Sequence, residues 1–109
     1  MIERRRYRRI EASFPVECSM LSENNYFYTV TKDVSQGGVQ IISNNFIPKN
    51  SLIKVSINFI DSLFNIKAKI AWCNKKRISD RYNIGLEFIE LSQENNQQIS
   101  RSIDSLCSV

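Results

Sequence analysis

The stretch Ile53-Lys54-Val55-Ser56-Ile57-Asn58-Phe59 breaks at Asp61-Ser62 and resumes as Phe64-Asn65-Ile66-Lys67-Ala68-Lys69-Ile70-Ala71-Trp72. Apolar and polar residues alternate in both halves. That is the period of a strand with one buried face, because successive side chains on a strand point to opposite sides. Asp61-Ser62 marks the turn between the halves. The spacing predicts two strands, one burying Ile53, Val55, Ile57 and Phe59, the other Phe64, Ile66, Ala68, Ile70 and Trp72.

The same period recurs on both sides. Upstream, Phe14, Val16, Cys18 and Met20 alternate; Tyr26 to Thr31 is aromatic and β-branched, and Glu23-Asn24-Asn25 joins the two as a hairpin. Asp33 to Gly38 interrupts the pattern, Val39 to Ile42 resumes it, and Asn44 to Asn50, with Pro48, reads as a loop. Downstream of a polar connection from Asn74 to Asp80, Ile84, Leu86 and Phe88 alternate again. Six short strands without a helix between them predict an antiparallel barrel or sandwich. The period then changes: Ser92 suits a helix cap, Glu94 its first turn, and Ile99, Ile103 and Leu106 share one face, so a terminal helix is expected over about 92–106.

The chain has 109 residues, 42% of them apolar and 24% charged, which fits one globular domain. No apolar run is long enough for a membrane span and no signal peptide follows the basic start, so the chain is read as cytoplasmic, with no membrane insertion. Cys18, Cys73 and Cys107 are too few and too far apart for a disulfide framework or a Cys-x-x-Cys metal site, and read as reduced thiols. Histidine is absent, and there is no phosphate-cradling loop, metal-ligand cluster or nucleophile–base pair. An enzyme and a metal site are not expected.

The net charge of +4 is localised: Arg4, Arg5, Arg6, Arg8 and Arg9 stand against Glu3, while the rest of the chain is balanced. Residues 1–12 read as a flexible arginine-rich arm and 13–109 as the barrel with its helix. Guanidinium groups are costly to bury unpaired, so the arm faces solvent or an anion. A run of this kind is compatible with nonspecific polyanion binding. It is equally suited to bidentate pairing with phosphate or the O6/N7 edge of guanine and to stacking on purines, partners that a guanine dinucleotide combines. Asp33, Ser35, Gly37 and Gly38 supply a carboxylate, a hydroxyl and open backbone in one turn. A carboxylate repels phosphate, so Asp33 suits the N1–H and N2–H donors of guanine, or an arginine. The bland readings are an Asx turn at Asp33 and a positive-φ turn at Gly37-Gly38. Trp72 closes an alternating strand and reads as core or barrel rim rather than as part of a site.

Glu3-Arg4-Arg5-Arg6-Tyr7-Arg8-Arg9-Ile10 together with Asp33-Val34-Ser35-Gln36-Gly37-Gly38 resembles the PilZ domain, whose motifs are Arg-x-x-x-Arg and Asp/Asn-x-Ser-x-x-Gly. Phe14-Pro15-Val16, Ala71-Trp72 and Tyr82 to Phe88 extend the likeness over almost the whole chain. The resemblance implies a six-stranded antiparallel β-barrel with a C-terminal helix and a receptor for cyclic di-GMP. Arg5 and Arg9 would grip the ligand from the arm, while Asp33, Ser35 and Gly38 meet it on the barrel. Arg4 and Arg8 also satisfy the first motif; Arg5 and Arg9 are preferred because Arg9-Ile10 stands where the family enters the barrel. Arg4 then precedes the motif, an arrangement that goes with two stacked, intercalated ligands, so two molecules per chain are expected. Ordering of the arm would change a surface offered to a downstream protein partner. The alternatives are a ligand-free interaction module of the same fold, or a nonspecific nucleic-acid binder acting through the arm. Specific nucleic-acid recognition is not expected.

Overall fold

The computed structural model describes residues 9–21, 25–60 and 62–107. In chain order these form β1 (Ile10–Glu11), β2 (Pro15–Met20), β3 (Tyr26–Val34), β4 (Gly38–Ser43), β5 (Leu52–Asn58), β6 (Leu63–Lys75), β7 (Tyr82–Ile89) and α1 (Gln93–Cys107). Every strand pairing is antiparallel. The strands run β3-β2-β5-β6-β7-β4, and β4 pairs back onto β3, closing a six-stranded barrel. β1 is an extra two-residue strand on β3. The barrel and helix are those expected from the alternation. β3 and β6 run on past Thr31 and Trp72, the ends expected from the sequence pattern.

Alternation works as predicted in the central hairpin. Ile53, Val55 and Ile57 pair with Ala68, Ile66 and Phe64, all buried in one apolar core. Phe59 joins that core, in which the rings of Phe14 and Phe59 meet edge to face at 5.0 Å and those of Phe64 and Phe88 at 5.5 Å. Such pairs add directional preference to simple burial. Ser92 caps the helix, its hydroxyl accepting from the Asn95 N–H at 3.0 Å, and Ile99 and Ile103 press into the core.

Two places break the period. Between Thr31↔Ile41 and Asp33↔Gln40, β3 carries one residue more than β4; between Ile70↔Leu86 and Trp72↔Gly85, β6 carries one residue more than β7. These are β-bulges at Lys32 and Ala71, and each flips the face of the residues after it. Val34 turns inward and is fully buried, while Asp33, which strict alternation would bury, turns outward. Cys73 turns toward the core and Trp72 turns away from it.

A third irregularity marks the entry to the barrel. β1 and β2 lie on the same side of β3, but between Glu11↔Asp33 and Pro15↔Val30 the incoming chain has one residue too many. Thr31, fully buried, absorbs the mismatch. Its Oγ1 donates to the Ala12 carbonyl at 2.5 Å and accepts from the Phe14 N–H at 2.9 Å. Thr31→Val keeps the shape but strands both backbone groups, and is expected to lower unfolding free energy by about 1–3 kcal/mol in chemical denaturation. Thr31→Ser, which keeps the hydroxyl, is expected to lose about 1 kcal/mol, the value of one buried methyl group.

Cys18 sits fully buried on β2, and burial, with the Glu17 charge beside it, pushes its thiol up to about 12. The folded state therefore holds this proton more tightly than the unfolded chain. The associated stability is intact below the ordinary thiol range near 9.0 and falls as pH rises toward 12. With iodoacetamide at pH 8, site-resolved mass spectrometry should show labelling of the half-buried Cys73 in the native protein and of Cys18 only after unfolding.

Candidate functional site

The two bulges are linked through β4 and β7. Asp33 on β3 pairs with Gln40 on β4, Gln40 with Gly85 on β7, and Gly85 with Trp72 on β6. The four residues form one continuous cross-strand row on the outer surface. Three strand spacings of about 4.8 Å separate its ends, so the row is roughly 14 Å long. A cavity of about 200 Å³ opens over it, lined by the whole row together with Arg9, Ser35, Gly37, Gly38 and Glu87.

Asp33 lies in β3 itself rather than in the turn after it, paired on one side with Glu11 and on the other with Gln40. A strand ladder thus stands where the bland reading of the sequence put an Asx turn, and the bulge at Lys32 aims the carboxylate. Arg9 approaches it at 4.0 Å, the long limit of an ion pair, with side-chain exposures of 41% for Arg9 and 18% for Asp33. A pair so long and so exposed contributes less than about 1 kcal/mol. Both groups stay available to a third partner.

Ser35 closes the turn between β3 and β4: its N–H donates to the Gly38 carbonyl at 2.9 Å and its hydroxyl donates to the same oxygen at 3.2 Å. The Gly37 carbonyl accepts from the Phe88 N–H at 3.0 Å, tying the turn to β7. Among the described residues no glycine has positive φ, so the bland reading of Gly37-Gly38 as a positive-φ turn does not hold. The need for glycine at 38 is one of space. A Cβ there would run into the backbone carbonyl of Leu86, on a strand that cannot yield.

Gly85 is required for a different reason. A Cβ on it would overlap the Trp72 indole, which lies directly over this residue. Trp72 is therefore neither core nor rim but one wall of the cavity. Its outward placement depends on the bulge at Ala71, which composition does not announce. The charges at the described cavity are Arg9 against Asp33 and Glu87, the last paired with Lys69 at 3.9 Å. Arg4 and Arg5, the other expected site residues, lie outside the described residues, as does Arg8 of the alternative register. No group of three or more potential metal ligands occurs among the described residues, and no described helix is long and apolar enough to cross a membrane.

The model of the PilZ domain family matches residues 3–105, and the chain belongs to that family. No curated protein matches it in sequence. Among solved structures it is similar to the PilZ domain of YcgR from Escherichia coli, solved with c-di-GMP: 21% identity over 95% of this chain and 92% of that one, TM-score 0.81. The Bacillus subtilis inhibitor of motility MotI/DgrA follows at 17% identity, covering 97% of this chain and 52% of that one, TM-score 0.81. The MrkH–c-di-GMP complex of K. pneumonia gives 15% identity, 97% and 53% coverage, and TM-score 0.76. The chain thus spans about half the length of the last two proteins, and these likenesses concern the fold.

Because Trp72 is the single tryptophan, its emission reports on the cavity. Gly85→Ala is expected to push the indole into solvent and red-shift its fluorescence. Gly38→Ala should leave the emission in place and instead lower stability by about 1–3 kcal/mol, the range for overpacking against a rigid neighbour.

Proposed function

We propose that this PilZ domain is a receptor for cyclic di-GMP that works by binding rather than by turnover. The observation that carries the reading is the outer row itself. Asp33 and Gln40 offer polar groups, Gly85 leaves a gap, Trp72 offers an aromatic wall, and Arg9 stands beside Asp33 at the same cavity. A cyclic guanine dinucleotide presents complementary features: donors at guanine N1 and N2 for Asp33, acceptors at O6 and N7 and phosphate oxygens for arginine, and flat faces for stacking.

Charge explains why the arm is needed. The described cavity carries one arginine near two carboxylates, which does not neutralise two phosphates. Arg5, and Arg4 before it, supply the remaining positive charge. Arg5 and Arg9 form the Arg-x-x-x-Arg motif, while Ser35, Gly37 and Gly38 hold the ligand against the barrel. Arg4 adds a stacking group that suits a second, intercalated ligand. The arm enters the barrel through β1, so closing it on the ligand orders the surface around the cavity, where a protein partner reads the change. The solved complexes of YcgR and MrkH with c-di-GMP support the ligand class.

Isothermal titration with cyclic di-GMP, with linear pGpG as control, tests the reading and gives the stoichiometry. Removing an arginine that makes charge-assisted bonds is expected to cost roughly 1.5–3 kcal/mol, about ten- to hundredfold in affinity, in both Arg5→Ala and Arg9→Ala. Wild-type affinity in both variants, or no binding by the folded wild-type protein, would overturn the assignment.

A further inference from the structure

Gln40 is the member of the outer row whose polar group has not yet been matched to a ligand atom. It is half-buried on β4 between Asp33 and Gly85, and, like Asp33, it lines two cavities. One is the cavity over the row; the other, of about 560 Å³, is bounded by Glu11, Lys32 and Asp33. The Gln40 amide makes no hydrogen bond among the described residues. A surface glutamine with no bond is ordinary. One fixed by two strand ladders beside an outward carboxylate, on the wall of a cavity, is placed to act with that carboxylate.

Resting on the cyclic di-GMP reading, we propose that Gln40 completes recognition of the guanine base. Its amide nitrogen donates to O6 while Asp33 accepts from N1–H and N2–H. The Watson–Crick edge of guanine presents donor, donor, acceptor in a line. A carboxylate accepts only, and so satisfies the two donors; the neighbouring acceptor needs a donor beside that carboxylate. Directly opposed residues on antiparallel strands hold their Cβ atoms about 4.5–5.5 Å apart, a spacing that sets the Asp33 and Gln40 end groups side by side along such an edge. Adenine reverses the pattern, with an amine where guanine has O6 and an acceptor at N1. The acceptor at N1 meets the carboxylate of Asp33, a mismatch that no rotation relieves, and it keeps the amine from settling against Gln40, whose amide could otherwise turn its carbonyl oxygen to it. The two residues together therefore read the Watson–Crick edge, while arginine contacts to phosphate and N7, and stacking on Trp72, supply affinity that any purine shares.

The test is the ratio of affinities for cyclic di-GMP and cyclic di-AMP in the wild type, Gln40→Ala and Gln40→Glu, measured by titration and by competition for the weaker ligand. Both ligands carry the same phosphates, so a change in general electrostatics or in arm position cancels in the ratio. Gln40→Ala should weaken cyclic di-GMP binding about two- to tenfold, the value of one hydrogen bond, and leave cyclic di-AMP unchanged. Gln40→Glu replaces the donor by an acceptor and should narrow the ratio further, by more than tenfold in total, with an unchanged melting temperature. An unchanged ratio in both variants, with the wild type binding cyclic di-GMP, would overturn the role of Gln40 and leave the receptor assignment standing. A folded wild-type protein that binds neither ligand would overturn both.

Discussion

A closed barrel divides its residues strictly into inside and outside, and this chain acquires a site by breaking that division twice. A barrel this small is filled by inward side chains, so a functional group needs an outward position, and strand alternation fixes which positions those are. One extra residue in β3, at Lys32, and one in β6, at Ala71, reset the alternation where Asp33 and Trp72 stand. Without the first bulge Asp33 would take the inward position that Val34 now holds, near Val39 and Ile41, where an ionised carboxylate is costly to keep unpaired. Without the second, the indole of Trp72 would take the space that Cys73 fills beside Ile84. The bulges cost a little ladder pairing, and they deliver a carboxylate and an aromatic plane to opposite ends of one row.

The rest of the local structure serves that row. Gly38 lets the β3–β4 turn press against β7 at Leu86, and Gly85 lets the indole lie flat; neither glycine adopts a backbone conformation closed to other residues. Thr31 fixes the point at which the chain from Arg9 joins the barrel, so the arginine next to β1 is delivered beside Asp33 by the backbone path rather than by a strong ion pair. Its hydroxyl replaces ladder bonds that the extra residue between β1 and β2 displaces.

Much of the fold was legible because alternation survives wherever the ladder is regular. Ile53 to Ile57 and Phe64 to Ile70 show it, and the helix was legible from Ser92 as a cap with Ile99 and Ile103 one turn apart. The bulges were not legible. Lys32 and Ala71 are ordinary strand residues, and an extra residue in a ladder shows only against its partner strand. Asp33 therefore read as part of a turn, and Trp72 as an inward residue. Ile84, Leu86 and Phe88 do put Gly85 on the outer face, but its pairing with Trp72 depends on the shifted register. Gln40 carried no signal either. Its position between Asp33 and Gly85 is a property of the sheet, since residue 85 reaches it across the barrel seam from the other half of the chain.

The row also ties recognition to the completeness of the fold. Its members come from four strands, and the β3–β4 and β6–β7 steps join consecutive strands; Gln40 meets Gly85 through a pairing that must span much of the sequence, the kind of contact that forms slowly and late. A partly assembled barrel therefore has no half-strength version of the site. The population able to bind is the population that is fully closed, so any molecule held across the row draws the folding equilibrium toward closure by mass action. In that sense anything a domain of this size holds across such a row becomes a removable part of its own architecture.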